Sequence, residues 1–326
     1  MNSPSHLTRR RFFTYASGFL LAGCTRQQGL TQVVRRSRAL GAEVKMTALH
    51  EDEVVAQNAL DAAFAELVKI EKVMSLYQPQ SQICCLNRDG RLAHADPRLI
   101  DVLRYAAQVS AKSGGAFDIT VQPLWKVHEG KTQADRALLD LARSSVNWQR
   151  VKINGSKVLL EGAGTAVTLN GIAQGYAADA AMKVVRAHGV KHVLIDAGEM
   201  NARGHNAEGE PWCVGIQHPR ERDAFAALAR LEDRCLATSG DYETGFSKDF
   251  SRHHILDPRT GESPGELASV SVLAPDAMTA DALSTALFVL GTERGMELLC
   301  EFAGTDALLI TKDGRRISTQ GFPFSA

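Results

Sequence analysis

The stretch Thr168-Leu169-Asn170-Gly171-Ile172-Ala173-Gln174-Gly175-Tyr176 passes from a strand-like segment into an Ala-rich helix through two glycines. Thr165 to Leu169 has the composition of a short strand, and Ile172 to His188 predicts a helix that stops at Gly189. Glycines let the backbone approach a ligand, and free N–H groups at a helix start attract phosphate. A close strand–helix packing turn would use the same residues, so the motif alone leaves both interpretations open.

Helices and strands are mixed on both sides of this stretch, without a regular βαβ repeat. Helical spacing of apolar residues predicts further helices over Asp52–Met74, Asp96–Ser113, Ala277–Leu290 and Arg294–Phe302. Strands are predicted over Val151–Ile153, Lys157–Leu160, His192–Ile195, Trp212–Ile216, Cys235–Thr238, Ser269–Leu273 and Ala307–Thr311. This mixture predicts an α+β fold, with mixed or antiparallel sheets flanked by helices.

Size and charge limit the classes of function. The chain has 326 residues, of which 44% are hydrophobic and 23% charged, so it can bury a substantial core. Its 37 Lys and Arg residues balance 37 Asp and Glu residues. With no net charge there is no global field to attract nucleic acid, and we expect no nucleic-acid partner.

The first residues resemble an export signal. Thr8-Arg9-Arg10-Arg11-Phe12-Phe13 resembles the twin-arginine consensus, and a short apolar stretch follows from Tyr15 to Ala22. Leu21-Ala22-Gly23-Cys24 resembles a bacterial lipobox. These elements predict export and a lipid anchor on Cys24, on the periplasmic side of a bacterial membrane. A basic amphipathic tail without a targeting role is the alternative.

The predicted domain organisation follows from this segment. Residues 1–24 would be the twin-arginine, lipoprotein-type signal. Residues 25–38 are polar and basic, which is typical of a tether. Residues 39–322 would form a single domain, because no low-complexity linker divides them.

Five cysteines follow Cys24, and their odd number prevents complete pairing within the chain. Their spacing does not indicate zinc or a redox dithiol. The adjacent Cys84 and Cys85 could form a strained vicinal disulfide, or they could be small apolar residues in a turn region.

The segment Ala280-Asp281-Ala282-Leu283-Ser284-Thr285-Ala286-Leu287 is an apolar helix that carries a carboxylate and a hydroxyl four residues apart. Residues at i and i+4 lie on one helical face, so Asp281 and Thr285 can present two hard oxygens to one point. Magnesium accepts such ligands and keeps positions for substrate phosphates. The pair therefore predicts an enzyme that handles phosphate.

A second segment, His253-His254-Ile255-Leu256-Asp257-Pro258-Arg259-Thr260-Gly261, ends in residues typical of a tight turn. Imidazole is the side chain best suited to proton transfer near neutral pH, which makes His254 a candidate acid or base. A lone histidine is more often structural, and the segment alone does not separate these roles.

Two loops are further candidates. Gly114-Gly115-Ala116-Phe117-Asp118-Ile119-Thr120 is predicted to be a flexible loop that enters a strand, where backbone amides could bind a planar heterocycle beside Phe117. A helix C-cap followed by a strand start explains it equally well. Thr238-Ser239-Gly240-Asp241-Tyr242 is either a tight turn or a loop that contacts an anion.

The order of these segments resembles the ApbE family of FAD:protein FMN transferases, over nearly the whole of Gly41 to Gly314. The matching blocks are Met74-Ser75-Leu76-Tyr77 with Ser81 and Asn87, Gly115 to Val121, Gly171 to Asp179, Thr238 to Tyr242, His254 to Gly261, and Ala280-Asp281 through Thr285.

The resemblance implies a specific reaction. Such enzymes bind FAD and Mg²⁺, split the pyrophosphate, and join FMN through a phosphoester to a Thr or Ser hydroxyl of a target flavoprotein, releasing AMP. The acceptor implied by the family is a flavoprotein with an exposed Thr or Ser, such as a respiratory membrane subunit.

The resemblance also implies a set of site residues. The metal ligands would be the side chains of Asp281 and Thr285 and the backbone carbonyl of Gly171. His254 would lie beside the pyrophosphate, and either Asp281 or His254 would help to deprotonate the incoming hydroxyl. FAD contacts would come from Leu40, Tyr77, Ala116, Phe117, Asp118, Thr168, Gln174 and Ile255.

Three positions depart from the family pattern. Thr168 stands where many members have Asp, Gln174 stands where many have Lys or Glu, and Ala197-Gly198-Glu199 replaces the more usual Gly-Gly-Asp/Asn. Two other functions remain open: an FAD pyrophosphatase that makes FMN and AMP, and a periplasmic flavin-binding protein without turnover.

Overall fold

The computed structural model describes residues 29–129 and 135–325. The predicted twin-arginine motif and lipobox, including Cys24, lie outside these ranges. Each helix within the described ranges is too short or too polar to cross a membrane.

The central feature is an eight-stranded sheet. In chain order, the strands of the molecule are β1 (Thr31–Ala39), β2 (Ala42–His50), β3 (Arg91–Leu92), β4 (Val151–Asn154), β5 (Lys157–Leu160), β6 (His192–Asp196), β7 (Met200–Arg203), β8 (Trp212–Gln217), β9 (Phe225–Leu231), β10 (Cys235–Gly240), β11 (Leu267–Ala274), β12 (Asp306–Thr311) and β13 (Arg316–Ser318). The large sheet has the order β1-β2-β6-β7-β10-β11-β12-β13, β3-β5-β4 form a small sheet, and β8-β9 form a hairpin. Every described neighbouring pair is antiparallel.

The helices are α1 (Glu53–Met74), α2 (Gln82–Asp89), α3 (Pro97–Lys112), α4 (Gln122–His128), α5 (Arg136–Ser144), α6 (Ala173–Ala187), α7 (Ala277–Leu290) and α8 (Thr292–Leu299). Helix α6 packs against both α1 and α7, and α7 lies on β10 and β11. The predicted α+β class, with antiparallel sheets flanked by helices, is therefore confirmed.

Alternation along the strands shows how both faces of the large sheet are buried. In β12, Ala307 and Leu309 join the core beneath the helices, whereas Leu308 and Ile310 join a second core with Trp212 of β8. Successive strand residues point to opposite faces, so helices cover one face and the β8–β9 hairpin covers the other. Burial of both faces explains why strands of the large sheet can be apolar on both sides.

The tether prediction is wrong for residues 31–38. They belong to β1, which pairs along its length with β2, and Val33 is buried in the core. The other side chains of β1 are mostly exposed polar or basic groups, among them Arg36 and Arg38. An edge strand with few inward apolar residues has the composition of a polar linker, which explains the error.

Two predicted strands are also wrong. Thr165–Leu169 is an extended segment outside the sheets, because the side chain of Asn87 bonds the backbone of Val167 through its amide nitrogen and its oxygen, at 2.8 and 2.7 Å. The stretch after Gly115 leads into a short 3-10 helix at Ile119–Val121 instead of a strand. Thr168 N donates to Ile119 O at 2.8 Å, so the two irregular segments hold each other.

Cys84 and Cys85 lie inside α2, not in a turn region. Ser81 caps this helix by accepting from Cys84 N. All five cysteines in the part of the chain that the structure describes are free, so no vicinal disulfide joins this pair.

Candidate active site

Helices α6 and α7 cap each other. Gly175 N, in the first turn of α6, donates to Asp281 Oδ2 of α7 at 2.9 Å. In return, Asp179 of α6 accepts from Ala277 N and Met278 N at the start of α7, both at 2.9 Å. The residue that precedes α6 offers no side-chain cap, so Asp281 supplies an acceptor that the helix start otherwise lacks. The exchange fixes the position of the Asp281 carboxylate.

The two helices cross so closely that only glycine fits at the contact. A Cβ at Gly175 would lie 2.2 Å from Ala277 O and 2.8 Å from Asp281 Cβ. Gly175 needs no unusual backbone angle, so its role is to permit close approach. The close contact at Gly175 is therefore between two helices, and not the strand–helix packing turn that the motif also allowed.

Gly171 meets the other proposed ligand of α7. A Cβ at Gly171 would lie 2.9 Å from Thr285 Oγ1 and 3.5 Å from Phe117 Cε2. The structure thus brings Gly171, Asp281 and Thr285 to one region, at the start of α6 and the middle of α7. Asp281 is buried, at 4% exposure, whereas Gly171 and Thr285 are half-buried.

The chemistry of these donors fits a hard cation. A carboxylate, a hydroxyl and a backbone carbonyl all offer oxygen, which suits Mg²⁺ when substrate phosphates and water complete its shell. In the described ranges, no group of three His, Cys, Asp or Glu side chains could hold a metal ion. A metal in this region would therefore depend on mixed protein oxygens and on the substrate.

The end of the large sheet adds further predicted FAD contacts. A Cβ at Gly198, just beyond β6, would lie 2.6 Å from Nε2 of Gln174. Leu40 and Gly41 form the turn between β1 and β2, both with positive φ, at 53° and 75°. Because Lys45 pairs with Asp196, this turn extends past the end of β6, on the same side as Gly198. Leu40 and Gln174 thus share one end of the sheet.

The predicted histidine turn packs on α7. The His253 ring is buried and lies 5.4 Å from the ring of Phe288, three residues after Thr285. His254 is half-buried, and its ring lies 6.5 Å from that of His253. The backbone N–H of His254 donates to Thr244 O at 3.0 Å. Ile255, the next residue, is buried in the core. The turn therefore approaches the helix that carries Asp281 and Thr285.

The remaining predicted FAD contacts differ in their surroundings. Ala116 and Phe117 are buried, and Thr168 is half-buried. The Asp118 carboxylate caps the 3-10 helix, accepting from Thr120 N at 2.7 Å and from Trp148 N at 2.9 Å, and burial raises its pKa. Tyr77 is 66% exposed in the loop after α1, where its N–H donates to Ser75 Oγ. Asp118 holds the loop together, whereas Tyr77 projects to the surface.

The loop Thr238 to Tyr242 begins as the end of β10. Asp241 is fully buried, and Arg220 donates to its two oxygens at 2.7 and 2.9 Å. Ser239 instead bonds side chains of α7, at 2.8 Å to Ser284 Oγ and 3.2 Å to Thr285 Oγ1. The segment is thus a strand end fixed by an ion pair, with one hydroxyl turned towards α7.

Sequence reasoning assigned no role to Asp179, Ser239 or Ser284. For Asp179 a signal was present, because it is a carboxylate on an Ala-rich helix, as Asp281 is. The two serines carry no such signal, since the bond that joins them links residues 45 positions apart.

Acid should destabilise the fold through His253. Burial lowers the pKa of His253 from 6.5 to about 4, so the folded state stays neutral while the unfolded chain takes up a proton. This contribution to stability is fully present above pH 6.5 and is lost as the pH falls towards 4. We expect urea unfolding to show a loss of about 2 kcal/mol between pH 7.5 and pH 5 from this group. His253→Asn should lose less over the same interval, and equal losses would assign the acid sensitivity to other groups.

Comparison with known proteins places these features in context. A model of the ApbE family matches residues 40–309. The chain is 30% identical to a FAD:protein FMN transferase of Salmonella typhimurium, over 96% of this chain and 95% of that protein. It is 33% identical to a FAD:protein FMN transferase of Treponema pallidum, over 81% of this chain and 80% of that protein.

Solved structures show the same architecture. The flavin transferase ApbE from Vibrio cholerae matches with a TM-score of 0.78 at 25% identity, over 90% of this chain and 98% of that one. The ApbE protein from Thermotoga maritima matches with a TM-score of 0.81 at 26% identity, over 89% of this chain and 97% of that one.

Proposed function

The chain belongs to the ApbE family of flavin transferases, and on this basis we propose that it transfers the FMN moiety of FAD to a Thr or Ser hydroxyl of a target flavoprotein. The product would be a phosphoester, and AMP would leave. Support comes from one observation above all, the convergence of Gly171, Asp281 and Thr285 where α6 meets α7.

In this proposal, Asp281, Thr285 and the carbonyl of Gly171 hold Mg²⁺ against the FAD pyrophosphate. The ion supplies charge neutralisation on the phosphate oxygens when bound. Phosphoryl transfer needs such neutralisation and in-line positioning more than covalent help from the protein. The buried carboxylate of Asp281 supports this role, because a bound cation would offset the cost of burying its charge.

The remaining chemistry is one bond made and one broken. The acceptor oxygen bonds to the phosphorus of the FMN half, and the bond from that phosphorus to the bridging oxygen breaks, so the bridging oxygen leaves with AMP. The hydroxyl proton passes to Asp281 or His254. Phe117 beside Gly171, and Gln174 beside Gly198, would position FAD along the start of α6.

The acceptor side and the location of the enzyme are also proposals. A respiratory membrane flavoprotein with an exposed Thr or Ser is the acceptor that the family suggests. Lipid on Cys24 would hold the domain at the periplasmic face of the membrane. Six residues separate Cys24 from β1, and such a segment spans about 20 Å at most.

Cys24→Ala should move the protein from the membrane fraction to the soluble fraction, because the proposed lipid would have no cysteine to attach to. An unchanged distribution between the two fractions would reject the anchor.

Incubation with FAD, Mg²⁺ and a candidate acceptor protein tests the transfer directly. We expect flavin fluorescence that stays with the acceptor in a denaturing gel, together with equimolar AMP. Free FMN and AMP without a labelled acceptor would favour the pyrophosphatase. Absence of AMP under all metal conditions would favour a flavin-binding protein without turnover.

A further inference from the structure

Three hydroxyl groups form a continuous chain beside the proposed metal ligands. Ser284 Oγ donates to the backbone carbonyl of Asp281 at 2.9 Å. Ser239 Oγ of β10 lies 2.8 Å from Ser284 Oγ and 3.2 Å from Thr285 Oγ1. Ser284 is almost fully buried, and Ser239 and Thr285 are half-buried. This series of hydrogen bonds therefore leads from the backbone of α7 at Asp281 to the Thr285 hydroxyl, which is proposed to bind the cation.

The positions of the three protons can be assigned from this geometry. Each hydroxyl has one proton to donate and two lone pairs to accept with. The Ser284 proton is used on the Asp281 carbonyl, so Ser284 must accept from Ser239. The Ser239 proton is then used as well, so Ser239 must accept from Thr285. The Thr285 proton is thus directed at Ser239 Oγ, and neither lone pair of Thr285 Oγ1 is used within this set of hydrogen bonds.

The usual alternative acceptor for the Thr285 hydroxyl proton is already occupied within the helix. A threonine in a helix commonly donates to the carbonyl four residues earlier, which for Thr285 is that of Asp281. That oxygen already accepts the helical N–H of Thr285 and the hydroxyl of Ser284, so both of its lone pairs are occupied. Ser239 is therefore the acceptor left for the Thr285 proton.

We infer that Ser239 and Ser284 are positioning residues, which orient the Thr285 hydroxyl so that its lone pairs face the cation. This inference rests on the proposed function, because it assumes that Thr285 is a metal ligand. Neither serine touches the cation. They act by holding the Thr285 proton on the side away from it, as outer hydrogen-bond partners orient the ligands of other metal sites.

The test measures metal affinity directly. Mn²⁺ is titrated into the full-length protein with equimolar FAD and no acceptor, because the proposed site includes the substrate phosphates, and the free ion is followed by its EPR signal. We expect Ser239→Ala to weaken Mn²⁺ binding about ten-fold, the lower end of the effect of losing an outer partner. Ser239→Thr keeps the hydroxyl and should restore most of the affinity. Ser269→Ala is the matched control, because Ser269 is a buried serine on β11, opposite Gly240 in the ladder, and should leave affinity unchanged.

A double-mutant cycle separates positioning from a general structural effect. If Ser239 acts through Thr285, adding Ser239→Ala to Thr285→Val should cause no further loss of affinity. A full additional loss in that background, or wild-type affinity in Ser239→Ala alone, would overturn the inference while leaving the metal site intact. Wild-type affinity in Thr285→Val would overturn both the inference and the proposed metal ligand.

Discussion

Asp281→Asn is expected to slow flavin transfer by about 10²- to 10³-fold, in keeping with the loss of one group that stabilises charge in the transition state. Asn has nearly the same shape and keeps an oxygen that can accept from Gly175 N, a bond of 2.9 Å in the wild-type protein. The start of α6 therefore keeps its cap, and the fold should survive. What is lost is the negative charge that is proposed to hold Mg²⁺.

Asp276→Asn is the matched control for this experiment. Asp276 caps the same helix by accepting from Thr279 N at 2.8 Å, and Asn is an equally good cap. Both variants receive the same assay with FAD, acceptor and millimolar Mg²⁺, and their folding is compared by thermal unfolding. A folded Asp281→Asn or Asp281→Ala protein that flavinylates at the wild-type rate would refute the role of Asp281.

Gly175→Ala is expected to destabilise the protein by about 3 kcal/mol, the upper part of the usual range for overpacking. Helix propensity alone predicts the opposite, since Ala is normally more stable than Gly inside a helix by about 0.5–1 kcal/mol. Here the added Cβ would lie 2.2 Å from Ala277 O, a backbone atom that cannot rotate away. The helices must separate, and Asp281 must move with α7, so flavin transfer should fall as well.

Urea unfolding of Gly175→Ala beside Gly265→Ala measures this effect. Gly265 is exposed, its φ is not positive, and a Cβ added there would meet no other atom within 4 Å, so its substitution should be nearly neutral. A stabilised Gly175→Ala protein would show that the close crossing of α6 and α7 is not required.

Local sequence patterns predicted the individual elements of the site, but they did not predict which of these elements contact each other. The 3.6-residue period places Asp281 and Thr285 on one face of α7, and the helix has the predicted bounds. The partnership of Asp281 with Gly175 joins residues more than a hundred positions apart, and no local pattern contains it. Gly171 is a proposed ligand only through the resemblance to a known family. Ser239 lies beside Thr285 because β10 packs against α7, which no local pattern contains.

The errors have a common physical origin in tertiary hydrogen-bond partners that local propensity does not include. Residues 165–169 have the composition of a strand, yet their backbone bonds the side chain of Asn87 instead of a neighbouring strand. β1 has the composition of a linker, yet it pairs with β2 through backbone groups that do not depend on side-chain identity. In both cases tertiary contacts override local preference.

Anomalous scattering from Mn²⁺, in crystals soaked with Mn²⁺ and FAD, is the sharpest test of the proposed metal site. We predict one strong peak bonded to the Asp281 carboxylate, Thr285 Oγ1 and the Gly171 carbonyl, in contact with the FAD pyrophosphate or its products. Bound flavin nucleotide with the metal peak elsewhere, or with no peak beside Asp281, would contradict this assignment.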